Sequence, residues 1–199
     1  MPPRKRLDRH EWAAAALDAL ADGGLAAVAV EPIAARLGTT KGSFYWHFRS
    51  RDTLVEAALE LWERRNTEDV ITAIAGAPDA RAALRSLMST VLGSVTAEPG
   101  DLARGHAVEV ALQADGHNPL VAAALDRVSR RRQEHLTTLF VRLGFGRDDA
   151  RHRALLAFTA YLGHVQLARA TPALVPRGAA LEAYLDGMLA ALTDGPRTP

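Results

Sequence analysis

Between Thr40 and Arg51 the chain gathers side chains that donate hydrogen bonds or carry positive charge: Thr40, Lys41, Ser43, Tyr45, Trp46, His47 and Arg51, with Gly42 among them. Such a set suits anionic oxygens, and Tyr45 and His47 can donate to phosphate oxygens, contacts that fix register without reading sequence. Lys41, Gly42 and Ser43 are small or cationic. A helix opening with them can bring its first turn close to base edges, where bulky side chains would hold it away. Arg4, Lys5 and Arg6 form a second basic cluster, either an arm reaching for a groove or backbone or a solvated terminus.

Other chemistry finds little support. The chain has no cysteine, so it has no disulfide, no thiol nucleophile and no cysteine zinc site. His10, His106, His117, His135, His152 and His164 show no i, i+4 pair with a supporting acid, so no metal site is expected. Gly144-x-Gly146 lacks a third glycine and a preceding strand. No phosphate loop, Gly-x-Ser-x-Gly elbow or catalytic triad can be assembled. Neither enzyme activity nor a cofactor is expected.

The elements that must position the donor cluster are helical. Apolar residues recur at helical spacing, as in Val30, Ile33, Ala34 and Leu37, then Leu54, Ala57, Ala58, Leu61 and Trp62, and no stretch reads as a strand. Glycine and proline marks divide an all-α chain into about nine helices. The spacing predicts helices over 8–22, 30–37, 41–47 and 51–75, then 79–97, 101–114, 119–143, 148–170 and 178–193. The first three form a small N-terminal three-helix domain and the later ones a larger bundle, with the long fourth helix as the connection.

Residues 28–47 have the grammar of a helix-turn-helix. A short helix ends at Leu37, Gly38 suits a left-handed turn, and a second short helix follows. Thr40 is expected to cap that second helix, contributing about 1 kcal/mol. Phe44 and Phe48, at i and i+4, anchor it inward and leave Lys41, Tyr45, Trp46 and His47 to the other side. Ser50 is expected to cap the next helix, with Asp52 favourable to the dipole and Arg51 reaching outward.

The stretch from Ile33 to Leu54 resembles the TetR family of bacterial transcriptional regulators. It carries the Ile-Ala pair, the glycine of the turn, the small-Lys-Gly-small start, the Tyr-x-x-Phe pair and a basic residue opening helix four. The resemblance is strong over about residues 7–65; beyond that only helix number, length and order agree. It implies that Thr40, Tyr45, His47 and Arg51 face phosphates while Lys41, Gly42 and Ser43 approach bases. Two departures stand out. Ala29 replaces the usual Ser or Thr cap of helix two, and Pro32 sits in its first turn, so an irregular start is expected there.

The charge pattern is compatible with this reading. Net charge is only +1, but residues 1–51 hold eight Lys or Arg against five Asp or Glu, leaving sixteen against eighteen elsewhere. Acidic residues interrupt the apolar stretch an export signal would need, and the uncharged run Ala154–Ala168 is too short to span a bilayer. A cytoplasmic protein without membrane association is expected.

The domain division is 1–65 for DNA binding and 66–199 for another task. Leu87, Met88, Val91, Leu92 and Val95, with Val108, Val110 and Leu112, could enclose a cavity or fill a core. The resemblance implies a pocket for a small-molecule effector, with His106, Glu109, Gln113, Tyr161 and His164 as the polar candidates. Arg130, Arg131 and Arg132 read as a solvated face. Two late helices carry surplus apolar surface: Leu155, Leu156, Phe158, Leu162 and Val165, then Leu181, Tyr184, Leu185, Met188, Leu189 and Leu192. The resemblance makes these a homodimer interface. Two recognition helices would then lie about 34 to 36 Å apart on a palindromic operator of double-stranded DNA.

The expected function is therefore a dimeric, ligand-responsive regulator, most simply a repressor. Two rivals differ in class. A helical small-molecule-binding protein or enzyme with a merely structural N-terminal motif would bind no duplex, and an architectural DNA binder would lack an effector pocket.

Overall fold

A computed structural model describes residues 7–96 and 100–195 of the 199-residue chain. Among them the protein is helical, with no strand. Its helices are α1 (Arg9–Gly23), α2 (Val30–Arg36), α3 (Lys41–Tyr45), α4 (Arg51–Glu63), α5 (Asp69–Ile74), α6 (Ala80–Val95), α7 (Asp101–Ala114), α8 (Pro119–Arg142), α9 (Arg147–Ala170) and α10 (Ala179–Thr193). Two compact units result. One comprises the chain to Arg64 with Ala107–Leu125, the other Arg65–His106 with the chain from Asp126 onward.

In the first unit, α1 opens with a reciprocal cap. The Glu11 N–H donates to Asp8 Oδ1 at 2.8 Å and the Asp8 N–H to Glu11 Oε2 at 2.9 Å. Trp12, Leu20, Leu54, Val55, Phe44 and Phe48 form a core that seats α3 on α1 and α4. The Trp12 ring meets Phe44 edge-on at 5.5 Å, and Phe44 stacks on Phe48 at 5.6 Å. Both phenylalanines point inward, as their spacing predicts.

Gly38 has φ +64° in the turn between α2 and α3, the left-handed conformation expected of it. Helix α2 starts without a side-chain cap, as Ala29 predicts, yet it starts regularly: Ala29 is extended and its carbonyl accepts from the Ile33 N–H at 3.2 Å. Pro32 eases this start, because its missing N–H removes a donor that the first turn would leave unpaired.

Two local expectations change. Thr40 occupies the capping position of α3 with an extended backbone, but its side chain makes no capping bond. Helix α3 stops at Tyr45 rather than 47, because the His47 and Phe48 N–H groups both turn to the Phe44 carbonyl at 2.9 Å. Ser50 does cap α4 through the Thr53 N–H at 3.3 Å.

The long helix predicted over 51–75 is helical from 51 to 74, but Arg64–Glu68 winds as a π-turn where the chain passes from one unit to the other. Side chains of the second unit account for the widened turn. Arg132 donates through Nε to Thr67 Oγ1 at 3.0 Å and through a terminal nitrogen to the Asn66 carbonyl at 3.2 Å. Arg131 forks onto both oxygens of Glu68 at 2.8 and 3.1 Å. Asn66 and Thr67 are buried, so the extra residue of the turn turns polar groups inward where an α-helix would repeat apolar ones.

The second unit packs α6 against α9 and α10. Arg85 on α6 ties to Glu182 at 3.2 Å and to Asp186 on α10. Phe158, Val165, Leu181, Leu185, Leu189 and Leu192, expected to meet a partner, are buried in this unit's own core. Leu155, Leu156 and Tyr184 remain exposed. No described helix is long and apolar enough to cross a membrane.

Candidate nucleic-acid interface and interior cavity

Burial of Phe44 and Phe48 on one side of α3 dictates what the other side shows. Thr40, Lys41, Gly42, Tyr45 and Trp46 are exposed, Tyr45 at 59% and Trp46 at 88%. Ser43 and His47 are half-buried at the edge of this face. The Arg9 guanidinium lies 4.4 Å above the Phe48 ring and donates to the His47 carbonyl at 3.1 Å, fixing the far end of the short helix. The face joins a cation, a phenol hydroxyl, an indole N–H and a glycine. Such a surface can come close to a polyanion.

Lys41 is not isolated on it. Its ammonium donates to Glu31 Oε1 at 2.5 Å, and that bond raises the lysine pKa and lowers that of the carboxylate. Arg51 departs from its expected outward reach. Its Nε donates to the Val28 carbonyl at 2.6 Å and a terminal nitrogen to the Leu25 carbonyl at 2.5 Å. The Leu25 carbonyl also accepts from the Val28 N–H at 3.2 Å in the turn leaving α1, so the guanidinium is drawn inward to the Val28 carbonyl and adds a second donor at Leu25. Lys5 and Arg6, with Arg4, lie outside the described residues.

The second unit contains a small, partly open cavity of about 50 Å³. Leu87, Met88, Val91, Leu136 and Phe158 give it an apolar body. Six polar residues join them: Asn66, Thr67, His106, Arg132, His135 and Tyr161. His106 Nδ1 lies 2.9 Å from the Tyr161 hydroxyl and Nε2 lies 2.8 Å from Ser94 Oγ. Ser94 donates to the Val91 carbonyl at 3.0 Å, so it accepts from His106 Nε2–H, and Nδ1 accepts from Tyr161. Burial, and then the charge of Arg132, push the imidazole down to about 4, so it is neutral near pH 7.

Of the expected pocket residues, His106 and Tyr161 line the cavity. His164 is buried and stacks on Tyr184 at 5.8 Å, outside the lining. Glu109 is buried and Gln113 exposed, both in the stretch of α7 that belongs to the first unit. Sequence reasoning missed Asn66, Thr67, Arg132 and His135. Arg130 does form a solvated pair with Asp126 at 2.8 Å, whereas Arg132 turns in to the cavity. Leu87, Met88 and Val91 line the cavity, while Leu92 is core. Among the described residues no group of three or more His, Asp or Glu could hold a metal ion.

Residues 13–58 match the bacterial regulatory proteins of the tetR family. The matched residues include α2, α3 and the exposed face just described. Solved structures share the TetR fold over nearly the whole chain. A transcriptional regulator from Rhodococcus sp. Rha1 has a TM-score of 0.77 at 23% identity, covering 96% of this chain and 100% of that one. A protein from Saccharomonospora viridis in complex with choline gives 0.69 at 21%, covering 94% and 93%. SmeT, the repressor of the Stenotrophomonas maltophilia multidrug efflux pump SmeDEF, gives 0.68 at 21%, covering 93% and 90%. No curated protein sequence matches the chain.

Proposed function

We propose that this protein is a TetR-family regulator that binds a palindromic operator as a homodimer and represses transcription until a small molecule enters the second unit. The carrying observation is the face of α3: buried phenylalanines place Lys41, Tyr45 and Trp46 outward together, on a residue pattern shared with DNA-binding regulators. In this reading Thr40, Tyr45 and His47 contact phosphates, Lys41, Gly42 and Ser43 approach bases, and Arg51 holds the domain that presents them. The cavity supports an effector site. The S. viridis protein's choline and SmeT's role as a repressor are consistent with one.

Exposed Leu155 and Leu156 on α9 and Tyr184 on α10 support a two-fold helix interface. Gly163 and Gly187 add open space for close approach, since a Cβ at either meets nothing within 4 Å. Effector binding would release DNA only by favouring one of two conformations through differential affinity.

A gel-shift series tests the proposal. Tyr45→Ala and Lys41→Ala each weaken operator binding, and affinity falls steeply as salt rises through counterion release. Unchanged binding in both variants contradicts it.

A further inference from the structure

The strongest buried polar anomaly outside the DNA-binding face is Asn66. Its side chain lines the cavity with only 6% of the residue exposed. Its Nδ2 donates to the Leu102 carbonyl at 3.3 Å, which assigns the amide orientation and leaves Oδ1 as the free acceptor. Oδ1 is buried and has no hydrogen-bond partner. An unpaired buried acceptor costs about 1 to 3 kcal/mol, so a group kept in this state calls for a donor.

The surroundings hold Asn66 in place. A Cβ at Gly105 would fall 1.8 Å from Asn66 Nδ2 and 2.2 Å from Oδ1, so the amide lies directly on the glycine backbone. The π-turn fixes the other side, with Arg132 bonded to the Asn66 carbonyl and the Thr67 hydroxyl. A rigid acceptor rewards a matching donor, because little ordering is left to oppose binding.

The rest of the lining narrows the ligand's charge. No aspartate or glutamate lines the cavity, so a cation meets no counter-charge there. Arg132 is already engaged by the π-turn, and an anion would compete with those bonds. Tyr161 stacks on Phe158 with 6.3 Å between ring centres, which suits a flat apolar body.

We propose that the cavity takes an uncharged, mainly apolar ligand of the phenol or alcohol class, whose hydroxyl donates to Asn66 Oδ1. This rests on the effector-pocket reading and adds the ligand's chemical class to it. The apolar body lies against Leu87, Met88, Leu136 and Phe158. His135 Nε2, a second buried polar atom in the lining without a partner, can take part in the same polar contact.

Four probes with one body test the class on the whole 199-residue protein by calorimetry: 4-ethylphenol, 4-ethylanisole, 4-ethylbenzoate and 4-ethylbenzylamine. The expected result is that the phenol binds about tenfold or more tighter than its methyl ether, which cannot donate, and that the two charged probes bind more weakly than the phenol. In Asn66→Leu the phenol and the ether bind alike. Should that variant misfold, the comparison of phenol and ether on the wild-type protein stands alone. Equal binding of phenol and ether, or preference for the carboxylate or the amine, overturns the donor assignment while leaving the pocket. Binding of none of the four overturns both.

Discussion

The Lys41 ammonium lies 2.5 Å from Glu31 Oε1, so the cation proposed to approach bases is paired with a carboxylate of the preceding helix. Both side chains are more than half exposed, 52% for the lysine and 63% for the glutamate, so water screens the pair. On DNA, Lys41 would exchange this partner for an acceptor on the duplex, and Glu31 would face phosphates.

Glu31→Gln is therefore expected to tighten operator binding several-fold at low salt, while Lys41→Ala weakens it by roughly tenfold or more. Fluorescence anisotropy across a salt series distinguishes the two. A weakened Glu31→Gln protein would show that the pair is needed to orient the lysine.

Arg51 is expected to act through stability. Removing its guanidinium takes the charged donor from the Val28 carbonyl and leaves the Leu25 carbonyl with only the Val28 N–H, and charge-assisted bonds of this kind are worth about 1.5 to 3 kcal/mol each. The side chain is 40% exposed, and water recovers part of this, so Arg51→Ala should cost about 2 kcal/mol by urea denaturation. Lysine lacks the fork that reaches both carbonyls and rescues little. An unchanged urea midpoint with lost DNA affinity would instead return Arg51 to the direct-contact role implied by the family resemblance.

Gly105→Ala drives a methyl group into the Asn66 amide. A destabilisation of about 1 to 3 kcal/mol is expected, as for overpacking. Combined with Asn66→Ala the cost should fall below the sum of the single changes, because the clashing partner is gone. Additive costs in thermal denaturation would show that the strain is taken up elsewhere.

His106 is expected to make the protein acid-sensitive. Its pKa falls from 6.5 to about 4 on folding, so between those values the unfolded chain binds a proton that the native state does not. Stability is then complete above about pH 6.5 and declines as pH drops toward 4, by roughly 3 kcal/mol in all from this residue. His135 and His164, also lowered by burial, act in the same direction. In His106→Gln the denaturation midpoint should depend less on pH over this range. An identical pH profile in both proteins would rule out His106 as its source.

What the sequence made legible is local. The Gly38 turn, the Ser50 cap and the inward pair Phe44 and Phe48 each depend on residues within one turn of one another, and each is where the pattern predicts. The misses arise from contacts distant in sequence. Arg51 turns to carbonyls 23 and 26 residues away, and Arg132 holds a π-turn 65 residues earlier. Helical periodicity carries no trace of either, so a basic run reads as solvent-facing until the partner is known. Buried Asn66 is the clue that was available: an asparagine within a predicted apolar helix face needs a reason.

The central claim is that the exposed face of α3 holds the protein on duplex DNA. The most direct measurement is genomic footprinting by the purified protein, followed by gel shifts on the protected duplex with wild type, Lys41→Ala and Tyr45→Ala. The account predicts a protected palindrome with half-sites about one helical turn apart, bound tightly by wild type and weakly by both variants. Absence of any protected duplex, or protection that both variants reproduce in full, would contradict it.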